Sequence, residues 1–419
     1  MSATTATPTT AATDPPALHR RLPLYALFAA NAISLVGSQV TYIAIPWFVL
    51  VTTGSAAKTG LTAFAEALAA VLAAFAGGAA VDRLGHKRAS ILADVASGAM
   101  VGAIPALHFT VGLAFWQLLA LVFLRSLWDT PGTTARSALV PELCARAGMP
   151  LERANAVIQA VGRGARLLGS PLAGLLVALL GASRVLWLDA ASFALSAALV
   201  GVAVPLLVVH TEARERYLDE IVAGLRFIRR ERLLLVVAAT VAVTNFLESP
   251  LYAVALPVYV KRTFGSAVDL GVLMAAVGGG AMVGAIVFGA LGARLPRRAT
   301  FTAAFIVLGL PYWALAALPP LAVAAVALVV AGLAAGPINP ILATVNQERV
   351  PAELRGRVFG TITALAYVAT PLGVLLGGVA IEWVGLRATI AAIAAGYLLT
   401  TLTLLVNPAL REMDGRSEK

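Results

Sequence analysis

Gly78-Ala79-Ala80-Val81-Asp82-Arg83-Leu84-Gly85-His86-Lys87-Arg88 is a short charged hinge between two long apolar runs, residues 57 to 80 and 89 to 108. Gly85 permits a tight turn. Arg83, Lys87 and Arg88 hold that turn in the cytoplasm. Each flanking run reaches the ~20 residues that an α-helix needs to cross ~30 Å of hydrocarbon. The stretch therefore predicts a helical hairpin threaded through a membrane.

Working outward, ten further runs of the same kind appear: 24 to 51, 112 to 134, 157 to 180, 185 to 209, 233 to 260, 269 to 292, 299 to 318, 321 to 345, 357 to 381 and 388 to 407. Of 419 residues, 60% are hydrophobic and 12% charged, against roughly 25% charged in a soluble chain. No water-soluble surface can be made from that composition. Helices satisfy every backbone donor and acceptor internally, and the runs lack the alternation of a barrel, so the predicted fold class is all-α membrane with twelve transmembrane helices.

A net charge of +10 suggests nucleic acid at first sight, but the positions of the charges give a better account. Most Lys and Arg residues fall on one side of the twelve runs. By the positive-inside rule that side is cytoplasmic, which places both termini inside and the chain in the inner membrane. Residues 1 to 18 lack the basic-then-apolar pattern of a cleaved signal, so the first span is expected to act as an uncleaved insertion signal. Cys144 is the only cysteine and His19, His86, His108 and His210 are scattered, so neither a metal site nor a cofactor is expected. No G-x-x-x-x-G-K-[ST], H-E-x-x-H or G-x-S-x-G pattern occurs, which argues against an ATP-driven pump and an intramembrane enzyme.

The runs also repeat. Ala44-Ile45-Pro46 has a counterpart in Ala255-Leu256-Pro257, and at the same offset Gly54-Ser55-Ala56 returns as Gly265-Ser266-Ala267, Gly60 as Gly271, Gly78 as Gly289 and Arg83 as Arg294. Six spans thus repeat as six spans in the same orientation, as parallel transporter repeats require. The expected organisation is a disordered cytoplasmic tail (1–22), an N-terminal six-helix bundle (23–209), a linker (210–232), a C-terminal six-helix bundle (233–407) and a cytoplasmic tail (408–419). The linker carries Leu218, Ile221, Val222, Leu225 and Ile228 at helical spacing. It reads either as an amphipathic helix on the cytoplasmic membrane face or as a soluble loop helix.

The hinge resembles the loop 2-3 signature of the major facilitator superfamily, G-x-x-x-D-R-x-G-[RK]-[RK], followed here by Asp94 in the next span. In the second copy Ala293 replaces the Asp and Pro296 the Gly. Asp82 is not called for by the positive-inside rule. Resemblance implies that it latches one conformation against the start of span eleven, with Arg83, Gly85, Arg88 and Asp94 as the rest of the gate; the alternative is a local salt bridge to Arg83 or Arg88. In span four, Leu121 to Gly132 is similar to the L-x-x-x-R-x-x-x-G signature of drug exporters, with Asp129 in the usual Gly position. Ser170-Pro171-Leu172-Ala173-Gly174 resembles the exporter G-P-x-x-G-G signature. Pro131 to Pro141 with Asn155, the Trp187 to Phe193 opening of span six and Arg355-Gly356-Arg357 are similar to one subgroup, the macrolide-efflux and enterobactin-export permeases. Pro171, Gly174, Gly280, Gly284, Gly373 and Gly377 read as helix-packing residues, since small residues four apart let helices approach closely.

Resemblance further implies that spans one, four, seven and ten line a central cavity holding substrate near the midplane. Candidates are Asn31, Ser34, Ser38 and Gln39 of span one, Trp128 of span four, Asn245 and Tyr252 of span seven, and Asn339 of span ten. A mid-span cation is costly and is expected to face water or a partner. Arg125 could be neutralised by Asp129 one turn away. Glu66, Asp129 and Glu248 are the carboxylates expected deepest in the membrane. Beside Arg125 they make candidates for loading and releasing a proton, whereas Asp94 and Asp189 lie nearer span ends and read as structural. Arg163 and Arg166 either snorkel or bind an anionic substrate. The expected partners are a small-molecule substrate, protons and the lipid bilayer, with no nucleic acid, for a chain acting as a monomer. Proton-coupled efflux is the leading expectation; import of a small solute and a non-transporting sensor are its rivals.

Overall fold

Two prolines decide how the first half is built. The expected span four stops at residue 134, yet in the computed structural model, which describes residues 17–206 and 217–414, one helix runs unbroken through Pro131 and Pro141, from Phe115 to Ala147. Each proline removes a single ladder hydrogen bond, and neighbouring helices inside a bundle make that loss tolerable. The extra turns carry Arg136 into the interior, where it is only 3% exposed, instead of leaving it among the cations of a loop.

The first half comprises α1 (Ala17–Thr53), α2 (Ala56–Leu84), α3 (His86–Thr110), α4 (Phe115–Ala147), α5 (Leu151–Leu180) and α6 (Ala182–Ala203). Its packing pairs α1 with α6 and α5, α3 with α4 and α6, and α2 with α4. α1 begins at Ala17 and continues through Pro23, so residues 17–22 are helical and not tail. Residues 1–16 lie outside the described residues. The hinge is a true turn: Gly85 adopts φ 78°, and its N–H donates to the Val81 carbonyl at 2.9 Å.

The second half repeats this plan with more interruptions. Span seven is α8 (Arg232–Pro250), a wide π turn at Leu251–Ala255 and α9 (Leu256–Thr263). α10 (Ala267–Leu291) and α11 (Arg297–Ala316) are single helices. Span ten divides into α12 (Leu321–Ala335) and α13 (Ile338–Arg349), span eleven into α14 (Arg355–Val368) and α15 (Thr370–Trp383), and α16 (Leu386–Val406) closes the bundle. Among the described residues, eleven helical stretches are long and apolar enough to cross a membrane. α4 is the remaining span: its 33 residues suffice in length, but Arg125 and Asp129 dilute its apolar character.

Helix α7 (Tyr217–Arg230) joins the halves. Its apolar stripe is divided, with Val222 half exposed and Ile228 packed on the protein. Ile228 is fully buried, and Gly224 sits so close to α14 that a Cβ there would strike the Thr361 side chain and the Arg357 carbonyl. Residues 210–216 of the expected linker are not described. Of the expected C-terminal tail, residues 415–419 lie outside the described residues, and Pro408–Asp414 forms a short 3-10 helix with Leu410 and Met413 buried. There Asp414 accepts from the Arg298 N–H at the start of α11 (2.9 Å), and Arg349 at the end of α13 pairs with Glu412 (3.0 Å).

The halves meet through glycine. A Cβ on Gly60 of α2 would lie 2.8 Å from both the Gly378 Cα and the Val374 carbonyl of α15. One on Gly174 of α5 would lie 2.5 Å from the Ala267 carbonyl and 3.1 Å from the Gly271 Cα of α10. Real Cβ atoms do not come that close to backbone, so these crossings exist only because the side chains are missing. Gly280 and Gly284 of α10 pack similarly on α12, and Gly373 and Gly377 of α15 on Phe246 and Pro250 of α8. At the hinge end, Gly78 and Gly289 have nothing within 4 Å of a Cβ position. The close cross-half contacts of Gly60 and Gly174 lie toward the Ser55 end.

Candidate functional site

Between the halves lies a cavity of about 540 Å³, walled by α1, α2, α4, α8 with its π turn, and α15. Its polar lining includes Ser38, Gln39 and Tyr42 from α1, Glu66 from α2, and Arg125, Ser126, Asp129 and Thr130 from α4. The second half adds Asn245, Glu248, Ser249, Tyr252 and Thr370. α2 was not among the expected walls, yet it supplies Glu66, and span ten supplies nothing here.

Arg125 organises the first-half wall. It is 4% exposed, and its Nη1 donates to Glu66 Oε1 at 2.9 Å. Its Nε stands 4.0 Å from Asp189 Oδ2 and makes no hydrogen bond of its own. Asp129 does not form the expected intrahelical pair; it lines the cavity one turn away. Asp189, expected near a span end and structural, is instead fully buried beside Arg125 and accepts hydrogen bonds from Thr41 and from Ser192 (3.2 Å). Gly37 explains how α6 reaches so far: any side chain at that point of α1 would collide with Ser192 and Asp189.

A second buried pair lies deeper in the same half. Arg136 Nη1 meets Asp94 Oδ1 at 2.6 Å, and Ser196 Oγ donates to Asp94 Oδ2 at 2.7 Å. Asp94 is 1% exposed. It is an interior anchor of α3 against α4 and α6, set apart from the hinge with which its place in sequence grouped it. Of the hinge residues themselves, Arg83, Gly85 and Arg88 are exposed and Asp82 is half-buried. Asp82 makes no ion pair among the described residues, so the local bridge to Arg83 or Arg88 is absent.

On the facing wall, Glu248 Oε1 accepts from the Tyr312 hydroxyl at 2.9 Å, and Asn245 Nδ2 donates to the Ala366 carbonyl at 2.9 Å. The π turn follows immediately and carries Tyr252 and Ala253 into the cavity. Such a turn widens the backbone where a helix lines a site.

A family described as transmembrane secretion effector matches residues 18–419. The chain belongs to this major facilitator family. It is accordingly a multi-pass membrane transporter and not an enzyme. The multidrug efflux pump Tap of Mycobacterium tuberculosis is 36% identical over 403 residues, covering 94% of this chain and 95% of the relative. Macrolide efflux protein A of Streptococcus pyogenes is 21% identical over 371 residues, covering 88% and 91%. Among solved structures, a bacterial homolog of the human lysosomal transporter Spinster superposes with a TM-score of 0.72 at 14% identity, covering 97% of this chain and 100% of that one. The nucleoside transporter NupG does so at 0.72 and 12%, covering 92% and 98%.

The transporter does not bring all its sequence candidates together. Ser38, Gln39, Asn245 and Tyr252 line the central cavity, while Asn31 faces a separate recess of about 30 Å³ beside Arg136. Ser34 is 2% exposed, and neither it nor Trp128 lines the central cavity. Asn339 lines a second cavity inside the C-terminal half. Arg163 and Arg166 are exposed on α5 and line neither cavity. The sequence reading missed Thr370, Ser249 and above all Asp189, whose pairing with span four has no local signal.

At the Ser55 end one further contact joins the halves. Glu382, near the end of α15, accepts from the backbone N–H groups of Ala56 (3.0 Å) and Ala57 (3.3 Å) and from the Ser55 hydroxyl (3.3 Å). This is an anion capping the first turn of α2 from the other half, a placement worth about 0.3–1 kcal/mol. Glu382→Ala is expected to shift the balance between closed and open forms of this end by about two- to fivefold. Spin-label distances between the ends of α2 and α15 report that shift, and an unchanged distribution would show that Glu382 holds nothing.

Proposed function

We propose that the protein is a proton-driven exporter of amphipathic small molecules that works by alternating access. In this reading it sits as a monomer in the inner membrane with both termini in the cytoplasm. The observation that carries the proposal is that the halves, whose tight glycine crossings lie toward the Ser55 end, have an acid-lined cavity between them. Glu66, Asp129 and Glu248 face it, and Arg125 is close to two acids at once. The similarity to Tap and to macrolide efflux protein A supports outward transport of drug-like cargo.

With the Arg83 end open to the cytoplasm, ionised Glu66, Asp129 or Glu248 attracts a basic substrate. Rocking the halves opens the Ser55 end, where a proton from outside takes the carboxylate and the substrate leaves. Return of the protonated carrier delivers that proton to the cytoplasm, restoring the carboxylate. A proton on Glu66 does not strand Arg125, because Asp189 lies within reach of its Nε. Asp82, unpaired in this arrangement, would meet the start of span eleven once the hinge end closes.

The test is efflux of ethidium and of erythromycin from proteoliposomes under an imposed pH gradient. Export is expected to stop when the gradient is collapsed, and Glu66→Gln, Asp129→Asn or Glu248→Gln is expected to lower the rate at least about tenfold in one or more cases. Export indifferent to the gradient would remove proton coupling; wild-type rates in all three variants would remove the site assignment.

A further inference from the structure

Glu248 and Asn245 stand in a wall shared by two cavities. On one side is the central cavity with its three acids and Arg125. On the other is a chamber of about 580 Å³ inside the C-terminal half, bounded by α8, α11, α13, α14 and α16. Among the described residues Glu248 is the only charged one lining this chamber, whose walls otherwise include the rings of Phe305, Phe359, Tyr367 and Tyr397. It runs from Glu248 to Asn346 and Gln347 near the end of α13.

In the first half the Arg125 and Arg136 ion pairs with Glu66, Asp189 and Asp94 occupy the interior, and the recess beside Arg136 measures about 30 Å³. The chamber in the second half is lined by uncharged side chains apart from Glu248. Tyr397 is fully buried and its ring is held edge-on against Tyr312, centroids 5.3 Å apart, the same Tyr312 that donates to Glu248. Asn339 of α13 also lines the chamber and is exposed. Its amide offers a donor and an acceptor to a carbonyl or hydroxyl of a ligand.

Resting on the export reading above, we propose that this chamber is a second substrate compartment. It takes the bulky uncharged body of a basic amphiphile, one rich in aliphatic carbon and carrying carbonyl or hydroxyl groups, while the basic nitrogen sits at Glu248 in the doorway. Compact cations use the central cavity alone. The transporter thus recognises a class, a neutral oxygenated body bearing one amine, through two compartments that share one acid.

The experiment compares two probes in proteoliposomes, ethidium as a compact planar cation and erythromycin as a macrolactone bearing a tertiary amine. Ala343→Trp fills the chamber from α13. It is expected to raise the KM for erythromycin at least about tenfold while leaving that for ethidium within about twofold. Asn339→Leu keeps the volume and removes only the amide from the chamber wall. It is expected to raise the erythromycin KM about two- to tenfold, with ethidium unchanged; it decides the matter if the tryptophan variant does not fold. Equal losses for both probes, or an unchanged erythromycin KM in both variants, would overturn the compartment and leave the export reading standing. A wild-type protein that moves neither probe would overturn both.

Discussion

Arg125→Met is expected to abolish export and to lower the stability of the folded protein by about 3–5 kcal/mol, the cost of stripping the partner from a buried charge. The size of the effect follows from the geometry. Arg125 is 4% exposed, bonded to Glu66 at 2.9 Å and 4.0 Å from fully buried Asp189, so its loss leaves one carboxylate facing the cavity and another sealed among Thr41, Ser192 and α1. The triple replacement Arg125→Met, Glu66→Gln, Asp189→Asn removes the whole set and is expected to recover the wild-type melting temperature in detergent without recovering transport. Melting curves and dye efflux measured on the same preparations separate the two effects. Efflux by Arg125→Met at the wild-type rate would rule out any part for the cluster in transport.

Gly60→Leu and Gly174→Leu should each lock the Ser55 end open and eliminate turnover. The atoms a new side chain would meet are backbone: the Gly378 Cα and Val374 carbonyl for Gly60, the Ala267 carbonyl and Gly271 Cα for Gly174. Backbone within a packed helix cannot swing aside as a side-chain tip can, so the halves must separate at that end. Gly289→Leu, at a position with nothing within 4 Å, is the matched control and should leave this end closed. Labelling of a cysteine introduced at Ala57 by a membrane-impermeant maleimide gives the readout, after the sole native Cys144 is replaced. Faster labelling in both glycine variants is the expected result; rates equal to the parent would mean that the crossings do not govern closure.

Much of the scaffold could be read from residues alone, because spans announce themselves by length and apolarity and the repeat by prolines and glycines at a fixed offset. The Gly85 turn and the tight approaches at Gly280, Gly284, Gly373 and Gly377 are local properties of short motifs. What the sequence hid are contacts between distant segments and the effects of neighbours on helix ends. Asp189 looked peripheral because depth was counted along its own helix, whereas Gly37 lets α6 press against α1 and brings the carboxylate to Arg125. Arg136 lies past residue 134, where the apolar run of span four stops, and its place in the interior comes from the helix continuing through Pro141 to Ala147. The linker's apolar stripe does not name its neighbour, and the packing of Gly224 on Thr361 is a contact between distant segments. The hollow interior of the C-terminal half leaves no mark on the sequence at all, since a cavity is an absence of packing and not a pattern of residues.

The short helix at Pro408–Asp414 bears on how this protein can be instrumented. By capping α11 and gripping α13 it rivets residues 408–414 to the C-terminal half. A fluorophore attached within that helix is seated on one half alone. Its distance from a probe at the hinge, followed in real time, is a direct gauge of whether and how far one half moves against the other.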